Sequence, residues 1–158
     1  MEQSSLPEYI VTSKKWRLAT SDRDRNSARM LAHPPERFET YQDWFFFSHI
    51  DPVQRFWHCL GMIIGTPMFL LLFYFWNSWS VLFYLLGVFF FYGFGVLSHL
   101  YYDGSKGRSE MRNFHLTTWL VIKINYWTFF GFYPKVLGKF VEKYPFTKEA
   151  FELEEVGA

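Results

Sequence analysis

From Phe56 to Tyr102 the chain runs 47 residues without an Asp, Glu, Lys or Arg. A helix that crosses the hydrocarbon core of a bilayer needs about 20 apolar residues, so this run has room for two. A soluble domain of 158 residues has little reason to keep so long a stretch uncharged. The run therefore predicts a membrane protein. Outside it the charges nearly cancel, 16 basic against 15 acidic residues. A nucleic-acid-binding domain shows a marked basic excess, so no nucleic-acid partner is expected. An aromatic share of 23% supplies ample apolar surface to bury and argues against disorder. The single cysteine, Cys59, excludes an intrachain disulfide framework and a CxxC-type zinc site.

The charge pattern divides the chain into a polar arm (1–40), a helical membrane domain (41–135) and a charged tail (136–158). The arm has no apolar stretch after the initiator Met and is expected to be cytosolic. Tyr41–Ser48, YQDWFFFS, is too short to span and is expected at the membrane interface, where Trp and Tyr favour the headgroup level. A first span is expected over about residues 58–76 and a second over about 80–102, with the turn at Asn77–Ser80 and Trp76 and Trp79 beside it. Gly61 and Gly65 form a GxxxG that permits close helix approach, and Gly65-Thr66-Pro67 marks a kink or a helix start. The Asn77–Ser80 turn carries no basic residue, whereas Arg55 precedes the first span and Lys106, Arg108 and Arg112 follow the second. The positive-inside rule then puts both hairpin ends, and the N-terminus, in the cytoplasm. A third apolar segment, Phe114–Tyr133, is interrupted by Lys123 and Asn125. A full crossing would carry Lys135, Lys139 and Lys143 to the far side; a re-entrant or interfacial placement avoids that, and the choice stays open. The expected fold is a small, all-α polytopic membrane protein: a spanning hairpin plus a third re-entrant, interfacial or spanning segment. The acidic stretch Glu149–Glu155 is expected to be a surface helix or disordered.

Four of the five histidines, His49, His58, His99 and His115, fall near the expected cytoplasmic boundary. Asp51-Pro52 reads as a helix start, with Asp capping free amides and Pro in the first helical position. Residues nine apart lie on opposite faces of one continuous helix; a break at Asp51-Pro52 lets His49 and His58 converge. His99 and Asp103, at i and i+4, share a helical face. Imidazoles with a carboxylate are a common ligand set for non-haem Fe(II), and ionisable groups at membrane depth are functional candidates. His49, His58, His99 and Asp103 are therefore candidate metal ligands, with His115 the weakest of the boundary histidines. His33, beside Pro34-Pro35, is expected to be a solvated loop residue. Arg55, one turn before His58, is a candidate partner for a substrate carboxylate or a phospholipid anchor. Histidine-box desaturase chemistry is excluded by the number and spacing of histidines, and neither a GxSxG elbow nor a P-loop is present. Cys59, adjacent to His58, points away from it on a helix.

The block His49-x-Asp51-Pro52-Val53-x-Arg55-x-x-His58, followed by Gly61 and Gly65-Thr66-Pro67, resembles the signature of the 2-hydroxy-palmitic acid dioxygenase-like membrane proteins. A second block, Tyr92-Gly93-Phe94-Gly95 through His99 and Asp103, is similar to that family's aromatic- and Gly-rich span. The resemblance covers roughly residues 41–135. Asp51 and Gln54 stand where the family carries asparagines, and Asp103 where it carries Glu. The resemblance implies a small multi-helix protein of the endoplasmic reticulum in eukaryotes or the inner membrane in bacteria. It also implies Fe(II)-dependent oxygenation of a 2-hydroxy long-chain fatty acid with loss of one carbon, a step of sphingoid-base breakdown. The matching positions make His49, His58 and His99 the implied iron ligands. Asp103 would be a further ligand or the acceptor that orients an imidazole. Membrane lipid and a 2-hydroxyacyl substrate are the expected partners. The alternative is a non-enzymatic membrane protein of the same fold that binds lipid or a partner helix. In that case, replacing the histidines changes stability or assembly without metal dependence.

Overall fold

The computed structural model describes residues 16–17, 23–75, 77–102 and 113–155. The chain is all-helical apart from a two-residue antiparallel pairing of Trp16–Arg17 with Glu154–Glu155. Helix α1 spans Arg23–Ala32 and a 3-10 turn spans Pro35–Arg37. Next come α2 (Tyr41–Ser48) and the long α3 (Pro52–Tyr74). After the turn, α4 (Trp79–Val88), a π-turn (Phe89–Gly93) and α5 (Phe94–Tyr102) run on as one rod. The remaining elements are α6 (Phe114–Phe129), α7 (Tyr133–Lys143) and the short α8 (Thr147–Ala150).

Local chemistry explains the breaks. At the start of α2, the Thr40 Oγ1 accepts from the Asp43 amide at 3.2 Å, and its hydroxyl donates to Asp43 Oδ2 at 2.9 Å. At the start of α3, Asp51 Oδ1 accepts from the Val53 amide at 2.8 Å with Pro52 in the first turn, as the sequence predicts. Helix α3 then continues unbroken through Pro67. The expected start near residue 58 is thus six residues late, because the cap at Asp51 sets the boundary. The expected break at Gly65-Thr66-Pro67 does not occur.

Pro52–Tyr74 and Trp79–Tyr101 are the two described helices long and apolar enough to cross a membrane. Only 22% and 17% of their most apolar windows are buried inside the protein, which separates them from the core helices of a soluble domain. The hairpin bares Leu70, Phe73, Tyr74, Val81 and Leu85 instead. Its two rods touch at glycines. A Cβ on Gly61 would lie 2.6 Å from the Phe90 carbonyl oxygen, and one on Gly65 would lie 2.8 Å from the Phe91 backbone nitrogen. The GxxxG therefore serves contact within the chain, and it meets the π-turn.

The other elements build a head layer over the open end of the hairpin. Its core joins Phe38 from the arm, Phe45 and Phe47 from α2, Ile124 from α6, Leu137 from α7 and Phe151 from the tail. This departs from the expected division at residues 40 and 135, since arm and tail share one core with the segment between them. Aromatic side chains cause the docking. His33 stacks on Phe146 at 5.0 Å and lies 5.2 Å from Phe47, so it is packed rather than solvated. The Arg29 guanidinium sits 3.7 Å over the Phe151 ring, and Arg25 pairs with Glu152. Nor does α2 lie at an interface: Trp44 to Phe47 are all buried, as expected for a helix apolar on most faces. At its edge, Lys143 bridges Glu39 at 2.8 Å and Asp43 at 3.0 Å. Burial would raise the Asp43 carboxyl, but hydrogen bonds from Lys143, Thr40 and Tyr144 hold it below its ordinary value. Helix α6 has 16 residues, about 24 Å of helix, which falls short of a full hydrocarbon crossing.

Candidate metal centre

Three histidines meet where the hairpin enters the head. His49 caps the C-terminus of α2, His58 lies in the second turn of α3, and His99 lies in α5. They are 1%, 7% and 2% exposed, so the site is closed to bulk water. The Asp51-Pro52 corner folds α3 back so that His58 faces His49, nine residues earlier. The Nε2 atoms of His49 and His58 are 3.2 Å apart, and those of His58 and His99 are 3.4 Å apart. One ligand atom from each ring lies within 4.8 Å of the others, the one such metal-competent cluster among the described residues.

The distal ring nitrogens are held from behind. His49 Nδ1 lies 2.7 Å from the Phe45 carbonyl oxygen, which can only accept, so the ring carries its proton there and bares Nε2. Phe45 also stacks on the same ring at 4.1 Å. His99 Nδ1 lies 3.1 Å from the Gln54 side-chain amide. With its nitrogen toward the ring, that amide donates and leaves the His99 proton on Nε2. Turned over, it accepts from Nδ1–H and bares Nε2. Burial, then the neighbouring His58 and His99, hold His49 well below its ordinary value of 6.5, while the Phe45 carbonyl pulls the other way. The ring is neutral at pH 7, as a metal ligand must be.

The donor set fits a transition-metal ion. Two nitrogens bound to one ion at about 2.1 Å sit roughly 3.0–3.4 Å apart for octahedral to tetrahedral angles. The observed 3.2 and 3.4 Å fall in that range. Three lone pairs cannot converge in a dry interior without a proton or cation between them. Asp103, the expected carboxylate, lies outside the described residues, as do Trp76, Lys106, Arg108 and Arg112. His115 is exposed at the start of α6 and stays outside the cluster.

Arg55 is not placed as expected. It is fully buried beneath the site, donating from Nη1 to the carbonyls of His49 at 3.2 Å and Ile50 at 2.6 Å. Its guanidinium lies 3.7 Å over the Tyr133 ring, and the Tyr133 hydroxyl reaches the His49 carbonyl at 3.4 Å. Burial pushes the Tyr133 phenol up to about 12, so it remains a donor. Arg55 therefore clamps the α2–α3 corner that aims His49, and it is turned away from any headgroup layer.

Gly95 is a residue that sequence reading missed as part of the site. A Cβ there would lie 2.5 Å from His58 Cε1 and 2.7 Å from Nδ1, so the ring occupies the space its missing side chain leaves. The available signal was its spacing: Gly95 precedes His99 by one turn on the same helical face. Gln54, one turn before His58, was legible only as a departure from a resembled pattern.

No family model matches the chain, and neither a curated protein nor a solved structure does.

Proposed function

We propose that His49, His58 and His99 hold a divalent iron ion and that the protein is an integral membrane oxygenase of 2-hydroxy long-chain fatty acids. The observation that carries the metal reading is the convergence of three buried imidazole nitrogens at 3.2 and 3.4 Å. The oxygenase reading rests on the chemistry of that donor set and on the resemblance of the His49–His58 and Tyr92–His99 blocks. The membrane reading rests on the uncharged hairpin and its bare apolar surface.

Bound iron would supply dioxygen activation, which no side chain provides alone. The protein's own part is positional. The Phe45 carbonyl and the Gln54 amide orient two of the rings, Arg55 and Tyr133 hold the His49 backbone, and the aromatic hairpin offers an apolar surface to an acyl chain.

The test is metal content of the detergent-purified protein, prepared anaerobically with Fe(II), beside a His58→Ala/His99→Ala variant. Near-stoichiometric iron in the parent that is lost in a still-helical variant supports the centre. Dioxygen-dependent shortening of 2-hydroxy fatty acids by the loaded parent supports the activity. A well-folded parent with iron at background refutes both. An iron-loaded parent inert toward these acids refutes the oxygenase reading alone.

A further inference from the structure

A groove of about 250 Å³ opens between α2, α6 and α7, outside the histidine cluster. Phe46, Trp127 and Phe140 are among the residues that floor it, and Lys123, Lys139 and Lys143 stand around it. Lys143 is taken up by Glu39 and Asp43. Lys139 is exposed and Lys123 half-buried, and neither forms an ion pair with a described residue. Lys123 instead folds over the Trp127 ring at 4.9 Å, which brings its ammonium toward the groove.

The surroundings say what covers the groove. Trp119, Ile122, Tyr126 and Phe130 are exposed and recur at helical spacing, so α6 carries an apolar stripe along the outside. Phe132 extends the stripe into the turn, where Gly131 takes a φ of 73°. An aromatic stripe flanked by lysines, beside a hairpin long enough to cross a bilayer, has the composition of an interfacial helix. Lys123, the charge that interrupts the third apolar segment, is carried to the polar edge of that stripe.

We propose that this groove binds the headgroup of an anionic phospholipid. Its phosphate would lie between the Lys123 and Lys139 ammoniums, and its glycerol and upper acyl carbons would lie over Trp127 and Phe140. Charge complementarity and continuity with the exposed apolar stripe select a lipid over a soluble partner. The inference uses the membrane placement of the hairpin and is independent of metal at the histidines.

Native mass spectrometry of the full chain, delipidated in detergent, tests it. Phosphatidylserine and phosphatidylcholine with the same acyl chains are the probes, and an unchanged melting temperature certifies each variant. A lysine near an anionic lipid contributes roughly fivefold in affinity, so Lys123→Ala/Lys139→Ala should weaken phosphatidylserine retention roughly 25-fold. The Arg pair at the same positions should retain it. Lys135→Ala should change nothing, because Lys135 lies outside the groove lining. Equal retention by the Ala pair, or no preference of the parent for phosphatidylserine, overturns the proposal. Displacement by millimolar inorganic phosphate assigns the groove to soluble phosphate, and displacement by polyglutamate assigns it to an acidic peptide. Either result overturns the lipid assignment.

Discussion

Gly95→Ala is the most informative single change, because it adds one methyl group against a metal ligand. The new Cβ would meet His58 Cε1 at 2.5 Å, whereas ordinary contact begins near 3.4 Å, so the ring edge must retreat by about 0.9 Å. The opposite side of the ring faces His49 and His99, both buried, so the retreat disturbs the 3.2 and 3.4 Å separations directly. Overpacking of this kind costs about 1–3 kcal/mol, and the better helix propensity of Ala returns about 1. The net loss of stability is then roughly 0–2 kcal/mol, and the protein stays folded. Metal affinity suffers more. Disturbing the support of a ligand costs about 10–100-fold, and displacing the ligand itself should reach the top of that range or exceed it. Gly93→Ala is the control, since a Cβ there meets nothing closer than 3.6 Å. Anaerobic Fe(II) titration against a competing chelator, with melting curves on the same samples, reads both quantities. Parental iron affinity in a folded Gly95→Ala protein would show that the His58 ring is not held as described and would refute the argument.

Three further outcomes follow from the same geometry. Arg55→Met leaves the His49 and Ile50 carbonyls without their buried donor, at about 1–3 kcal/mol each, and Arg55→Lys rescues this only in part; a fall in melting temperature checks it, and an unchanged melting temperature for both variants would restore Arg55 to a substrate-binding role. Gly61→Ala forces the hairpin rods apart against the Phe90 carbonyl and destabilises, whereas Gly138→Ala meets nothing within 4 Å inside α7 and stabilises by up to about 1 kcal/mol; paired melting curves read the opposite signs. Because His49 titrates lower when folded than its ordinary 6.5, the unfolded chain binds more protons below that pH, so the metal-free protein keeps this contribution above about pH 6.5 and loses it as pH falls further. Melting temperatures between pH 8 and about 5 test it, and a flat profile would contradict the buried neutral ring.

Much of the site was legible before the structure. Forty-seven uncharged residues gave the hairpin, and Asp51-Pro52 gave the corner that brings His49 to His58. These are local signals: hydropathy needs only a window, and a cap only four residues. What escaped depended on partners distant in the chain. Arg55 looks like an interfacial charge until Tyr133 closes over it. Glu149–Glu155 looks like a surface segment because its charges conceal Phe151 and Leu153, which complete the core under Phe38 and Phe47. His33 seemed solvated because its stacking partner, Phe146, lies at the other end of the chain. The role of Gly95 was hidden because a missing side chain shows its purpose only when a neighbour fills the space.

The π-turn at Phe89–Gly93 has a consequence for how this hairpin can change over time. It holds one residue more than regular helix needs, set against Gly61 and Gly65. Deleting one residue there would restore an ordinary helix with nearly the same length and the same greasy surface. Everything beyond it would turn by about 100°, and His99 would swing away from His58. The segment is thus permissive as an anchor and strict as a phase-setting element. A lineage could shed the cluster by one codon while its membrane insertion went on unaltered.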